Sequence, residues 1–269
     1  VVGGAGIPDA DSAEGPSARV DLFTVGQLEQ HARSLAARHK LAPRRGRPAE
    51  VLRRRLGDNE RALRDAHEFI VGVAAAGTAI TPAAEWFIDN YYIIEEQIRT
   101  VRRHLPRAYG RELPRLADDA AAGSPRIYDV ILELISHSEG RVDIEGLRAF
   151  IASYQTVTPL RLGELWAIPI MLRLALIEGL RRVVFAIVAG RRERENARRW
   201  VDRMAQTAAV DSSRVVSTLA AMIEQAPELT PPFIAEFWSR RQGQGGALLF
   251  PVYWLDQRLE ERGQTVEQV

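Results

Sequence analysis

From Thr24 to the C-terminus, apolar residues return every third or fourth position and almost nowhere every second. That period belongs to helices with one buried face and argues against strand-rich and βαβ architectures, whose apolar residues alternate or run unbroken. Leu28, Ala32, Leu35 and Ala36 keep one face of a first helix that starts near Thr24 and fades before Pro43. A long helix follows at about 49–76, striped by Leu52, Leu56, Leu63, Ala66, Ile70 and Val73. Gly77 supplies a stop and Thr81-Pro82 a new start, with Thr at the cap, Pro in the first helical position and Glu85 a turn later. The pattern then predicts helices over 82–104, 125–138, 144–155, 162–208, 212–224, 232–240 and 251–262, with Pro169 bending or breaking the longest. The expected fold is all-α, a multi-helix bundle or irregular helical array over 21–269 that could divide near 156–162. Residues 1–20, mostly Gly, Ala, Pro, Ser and acidic, read as a flexible tail.

Composition narrows the chemistry. The 269 residues include no cysteine, which removes disulfides, thiolate metal sites and cysteine nucleophiles. Lys40 is the only lysine, so Schiff-base and P-loop chemistry is largely excluded. Thirty-six basic residues against 35 acidic ones leave a net charge of +1, too little for a whole-molecule field that draws in nucleic acid. The most apolar stretch, 160–190, is interrupted by Arg161, Glu164, Arg173, Glu178, Arg181 and Arg182, so no membrane span is expected. The start Val1-Val2-Gly3-Gly4 has no initiator Met and no signal-peptide pattern, and reads as the beginning of a piece of something longer.

Several residue sets could carry chemistry. Glu85, Asp89 and Glu96 share one face of the 82–104 helix and could bind a cation or act as acid and base, with Trp86 beside them for a sugar. Pairing with arginines of neighbouring helices is the plainer account. Glu164, Arg173 and Glu178 lie in a helix apolar on nearly every side, which belongs mid-bundle with its charges buried and paired, and Glu178 with Arg182 makes an i, i+4 pair. Together Glu85, Asp89, Glu96, Glu164, Arg173, Glu178 and Arg182 form the candidate polar network. Among His31, His39, His67, His104 and His137 no two have the i, i+4 spacing of a helical metal site, and His137 reads as part of a capping turn. Asp9-Ala10-Asp11 and Asn196-Ala197-Arg198-Arg199-Trp200 are fragmentary glycosyltransferase-like motifs in a tail and on a helix, where neither suits that chemistry. The basic clusters at 38–64 and 191–203 read as solvated helix faces laced with ion pairs, with anionic lipid or phosphate as the alternative contact.

The run Thr81–Arg99, TPAAEWFIDNYYIIEEQIR, resembles the TPAAEWLLDNFHIVEEQIR run near the start of cyclic β-1,2-glucan synthases. Leu105-Pro106, Leu113-Pro114-Arg115-Leu116 and Pro125-Arg126-Ile127-Tyr128 are similar to that family's DLP, LPKL and PRVY. Tyr154–Ala167, YQTVTPLRLGELWA, resembles its YQRVQPLTIGELWA, and Trp254–Leu259 its WLDERL. His104, Glu139-Gly140 and Gly179 depart from it, standing where the family has Asp, Asp-Ser and Asn. The resemblance implies a very large inner-membrane enzyme that builds β-1,2-linked glucose chains from UDP-glucose, with a divalent metal, and closes them into rings. It further implies that the catalytic modules and membrane spans lie outside these residues. The expectation is therefore an N-terminal helical scaffold or regulatory segment at the cytoplasmic face of the membrane, with no catalytic, cofactor or metal residue of its own. Its expected partners are the remainder of the synthase and the membrane surface, not nucleic acid. The alternative is a helical module that binds a small ligand or a glucan end.

Overall fold

Where the apolar period is strong, helices form. The computed structural model describes residues 23–42, 48–105, 113–117, 123–138, 142–225, 229–240 and 248–261. Of these, 83% are helical, in ten α-helices without a sheet. In chain order they are α1 (Val25–Arg38), α2 (Pro48–Ala75), α3 (Pro82–Asp89), α4 (Tyr91–His104), α5 (Arg126–His137), α6 (Ile144–Gln155), α7 (Leu162–Val210), α8 (Val215–Gln225), α9 (Pro231–Ser239) and α10 (Leu249–Glu260). A 3-10 turn, Ser212–Arg214, leads into α8. Isolated bridges tie Leu41 to Leu116 and Arg115 to Pro125. The tail expected at 1–20 lies outside the described residues.

Local chemistry sets the helix ends. Thr24 and Gln27 close a reciprocal capping box, with Thr24 Oγ1 accepting from the Gln27 N–H and Gln27 Oε1 accepting from the Thr24 N–H. Gly77, at φ +70°, carries the left-handed turn after α2 that a side chain would strain. Thr81 Oγ1 accepts the Ala84 N–H at 3.3 Å, and Pro82 occupies the first helical position.

The helix expected over 82–104 is two helices. At Asn90 the backbone moves to φ −106°, ψ 10°, and the side-chain amide donates to the Trp86 carbonyl at 2.8 Å. Asparagine competes in this way with the ladder that would otherwise continue, and here it separates α3 from α4. Pro169, by contrast, does not break α7, which runs through it. One lost ladder bond is outweighed by the burial of Ala167, Met171 and Leu174 on either side.

The chain divides into two compact units, Val1–Val184 and Phe185–Val269, parting inside α7. The turn at 156–161 lies within the first unit. There α1 packs on α5 and α6, and α2 on α3 and α4. Leu35, Leu56, Leu63, Phe87, Ile131 and Phe150 are each no more than 3% exposed and form its interior. In the second unit, Trp200, Met204, Leu219, Phe233, Phe237 and Leu255 belong to one buried cluster.

Candidate functional site

The first unit buries a charge pair. Glu164, in the first turn of α7, is fully buried, and Arg126, at the start of α5, is 2% exposed. Arg126 Nε donates to Glu164 Oε1 at 2.9 Å and Nη2 to Oε2 at 2.5 Å, a two-pronged match. Nη2 also reaches the Pro159 carbonyl at 3.1 Å, and Glu164 Oε2 accepts the Arg161 N–H at 2.9 Å. Thus neither charge is left to bear its desolvation alone, and the turn between α6 and α7 is fastened to α5. Burial, the largest single effect, favours a neutral Arg126, but the hydrogen bond and charge of Glu164 together with Tyr154 outweigh it and raise the pKa.

Tyr154 of α6 lies beside this pair, with the Arg126 guanidinium 6.0 Å from its ring centre. Its hydroxyl meets His39 Nδ1 at 2.7 Å, and His39 Nε2 meets Asp129 Oδ2 at 3.1 Å. With Asp129 ionised, the network assigns Nε2 as the donor to it and Nδ1 as the acceptor from Tyr154. Burial pushes the Tyr154 hydroxyl up to about 12, so it remains a donor. A second set joins α2, α5 and α7. The Tyr128 hydroxyl donates to Glu178 Oε2 at 2.5 Å, and Arg55 Nη1 sits 3.5 Å from Glu178 Oε1. Burial first, and Glu178 next, hold the Tyr128 hydroxyl well above its ordinary value.

A third cluster bridges α1 and α5. His31 Nε2 lies 2.8 Å and His137 Nε2 3.4 Å from Glu133 Oε2. Phe23 stacks on the His137 ring at 4.1 Å and meets His31 edge-on at 5.4 Å. His137 therefore occupies the last turn of α5 with its ring held against a carboxylate and an aromatic face, which reaches beyond a local capping role. Of the segment following it, 139–141 lies outside the described residues.

The seven residues of the expected network do not converge. Glu164 and Glu178 are paired within the first unit, but with Arg126, Tyr128 and Arg55. Arg173 is exposed and donates to the Pro169 carbonyl at 3.1 Å, while Arg182 donates to Ser136 Oγ at 3.2 Å in place of the expected bond to Glu178. Glu85, Asp89 and Glu96 are all exposed, and Trp86 is 55% exposed. Two hollows near α4, of about 200 and 280 Å³, are lined by charged side chains including Glu60, Arg64, Arg99 and Arg103. Both fall below the roughly 300–1,000 Å³ of ordinary small-molecule sites.

The fragmentary transferase motifs separate as well. Asp9-Ala10-Asp11 lies outside the described residues. In the other, Ala197 and Trp200 face the core of the second unit and Arg198 Nε donates to Glu236 Oε1 at 2.6 Å. Arg240 donates to the same oxygen at 3.1 Å. Burial opposes a charged Glu236, but hydrogen bonds from Arg198 and Arg240 hold its carboxyl below the ordinary range. In the 38–64 basic cluster, Arg53 donates to the Leu105 carbonyl, Arg55 meets Glu178 and Arg61 pairs with Asp58.

One stripe has no counterpart in the expected mid-bundle placement of α7. Leu162 is 67%, Trp166 72%, Leu176 39% and Val183 56% exposed, and their spacing puts them on one face. The opposite face holds Glu164, Ala167, Met171 and Leu174 in the interior. The first part of α7 is thus half covered, because its apolar residues exceed what the described helices of its unit enclose.

No protein-family model matches the chain. The chain is 31% identical over 253 residues to the cyclic beta-(1,2)-glucan synthase NdvB of Rhizobium meliloti. The match takes in 94% of this chain but only 9% of that protein, so the chain corresponds to a small part of the relative's length.

Proposed function

We propose that this chain is the counterpart of one helical segment of a cyclic β-1,2-glucan synthase, and that it supports and docks the catalytic parts of that enzyme without transferring sugar itself. The enzyme as a whole would make cyclic β-1,2-glucan from UDP-glucose with a divalent metal, at the cytoplasmic face of a bacterial inner membrane. The partner of this segment would be the remainder of the synthase, with the membrane surface nearby.

The observation that carries the reading is the two-faced start of α7. One face is anchored inside its unit by Glu164 and the apolar residues around it, and the other presents Leu162, Trp166, Leu176 and Val183 to solvent. An apolar stripe containing a tryptophan is the composition of a protein contact. A match confined to 9% of a relative's length leaves ample chain to cover it. No helix among the described residues is long and apolar enough to cross a membrane. Docking through the stripe therefore suits a segment that sits beside the membrane-embedded parts.

Incubation of the purified chain with labelled UDP-glucose and Mg²⁺ or Mn²⁺ is expected to give no labelled glucan. Transfer that scales with the amount of this chain would overturn the non-catalytic assignment. Calorimetry with oligosaccharides and nucleotide sugars tests the ligand-binding alternative, for which heat lost on Glu85→Gln, Asp89→Asn substitution would be the supporting result.

A further inference from the structure

We infer that His31, Glu133 and His137 form a binding site for a borderline-soft divalent metal ion, of which Zn²⁺ is the best fitted, joining α1 to α5. The three offer one ligand atom each, and those atoms all lie within 4.8 Å of one another. Two imidazoles and a carboxylate, with a fourth position left for water, constitute a donor set that zinc takes in tetrahedral sites. Ligands about 2.0–2.2 Å from a tetrahedral ion stand roughly 3.3 Å apart. The separations of 2.8 Å for His31–Glu133 and 3.4 Å for His137–Glu133 straddle that value, so small side-chain rotations would admit an ion.

The surroundings also fit. Glu133 and His137 are four residues apart on α5, so their side chains rise from the same helix face. His31 comes from α1, which packs directly on α5. Side-chain exposures of 18%, 34% and 19% leave a path for an ion and its water. His137 is in the last turn of α5, where the helix C-terminus favours a cation. Phe23 stacks on the flat face of the His137 ring and meets the His31 ring at 63°, and its N–H donates to the His137 carbonyl at 3.3 Å. That contact restrains both imidazoles. The two imidazole donors disfavour Mg²⁺ and Ca²⁺, which prefer oxygen ligands throughout.

The test uses the full chain, stripped with EDTA and titrated with Zn²⁺ by calorimetry, with Co²⁺ as a spectroscopic probe. One Zn²⁺ per chain, visible cobalt d–d bands of tetrahedral intensity, and a melting temperature raised by added Zn²⁺ are the expected results. His31→Asn and His137→Asn should each weaken Zn²⁺ binding at least tenfold while circular dichroism stays unchanged, and Mg²⁺ should give no heat. His104→Asn, at a histidine far along the sequence and outside the cluster, should leave binding intact. Absence of Zn²⁺ binding by the folded chain, or binding that the double variant of His31 and His137 retains, would overturn the site. The outcome does not depend on the docking role proposed above.

Discussion

At the scale of single residues, the difference between Glu164 and Trp166 is decisive. Two positions apart on α7, one is fully buried and the other 72% exposed. Removing Glu164 strands the Arg126 charge in the interior. Glu164→Gln should therefore cost about 3–5 kcal/mol in urea unfolding, the usual loss when one partner of a buried pair is taken away. Replacing both members, as Arg126→Met with Glu164→Leu, should recover much of that loss, because the desolvation of two charges disappears with their attraction. Trp166→Ser should change the stability of the chain by no more than about 0.5 kcal/mol, since little of the ring is covered. Glu236 contributes to the acid limb of the second unit. Its folded value lies below the ordinary 4.5, so its ionised form stabilises the fold above that range, and the contribution is lost as the pH falls through the lowered value. Acid unfolding followed by tryptophan fluorescence should show this loss below about pH 4.5, and Glu236→Gln should flatten it. A wild-type curve with no slope there would contradict the role of the Arg198 and Arg240 bonds.

At the scale of elements, sequence and structure agree where local chemistry decides. The helix start near Thr24, the stop at Gly77, the cap at Thr81 and the 144–155 helix follow from short-range patterns and are found where those patterns put them. Thr81→Ala should cost about 1 kcal/mol by loss of the cap to the Ala84 N–H, read as a lowered urea midpoint. The break at Asn90 was not legible, because asparagine inside an apolar period is tolerated or disruptive according to whether its amide captures a carbonyl. Apolar surroundings pointed to burial and pairing of Glu164, Arg173 and Glu178; Glu164 is buried and paired, Glu178 is paired and half-buried, and Arg173 is exposed. The partners of the two glutamates could not be inferred: Arg126 is 38 residues from Glu164 and Tyr128 is 50 from Glu178, and periodicity carries no information across such distances. The His31 cluster escaped for the same reason, its two histidines lying on different helices while the spacing test sees only one. Nor does a period say which apolar stripe its neighbours will cover, so the helix expected mid-bundle leaves Trp166 at the surface.

At the scale of the whole molecule, two of the runs that resemble the glucan synthases supply members of the buried polar sets. Arg126 and Tyr128 come from one run, and Tyr154 and Glu164 from another. Those residues fasten helices of the first unit to one another. The same architecture leaves one face of the first part of α7 uncovered, and the proposed docking role rests on that face. The direct measurement is binding of the purified chain to a cyclic β-1,2-glucan synthase from which the matching segment has been deleted, comparing the wild-type chain with Leu162→Asp/Trp166→Asp. Saturable binding by the wild type, weakened at least tenfold in the variant while its circular dichroism and urea midpoint are unchanged, is the expected result. Equal binding by both chains, or no binding by either, would contradict the account.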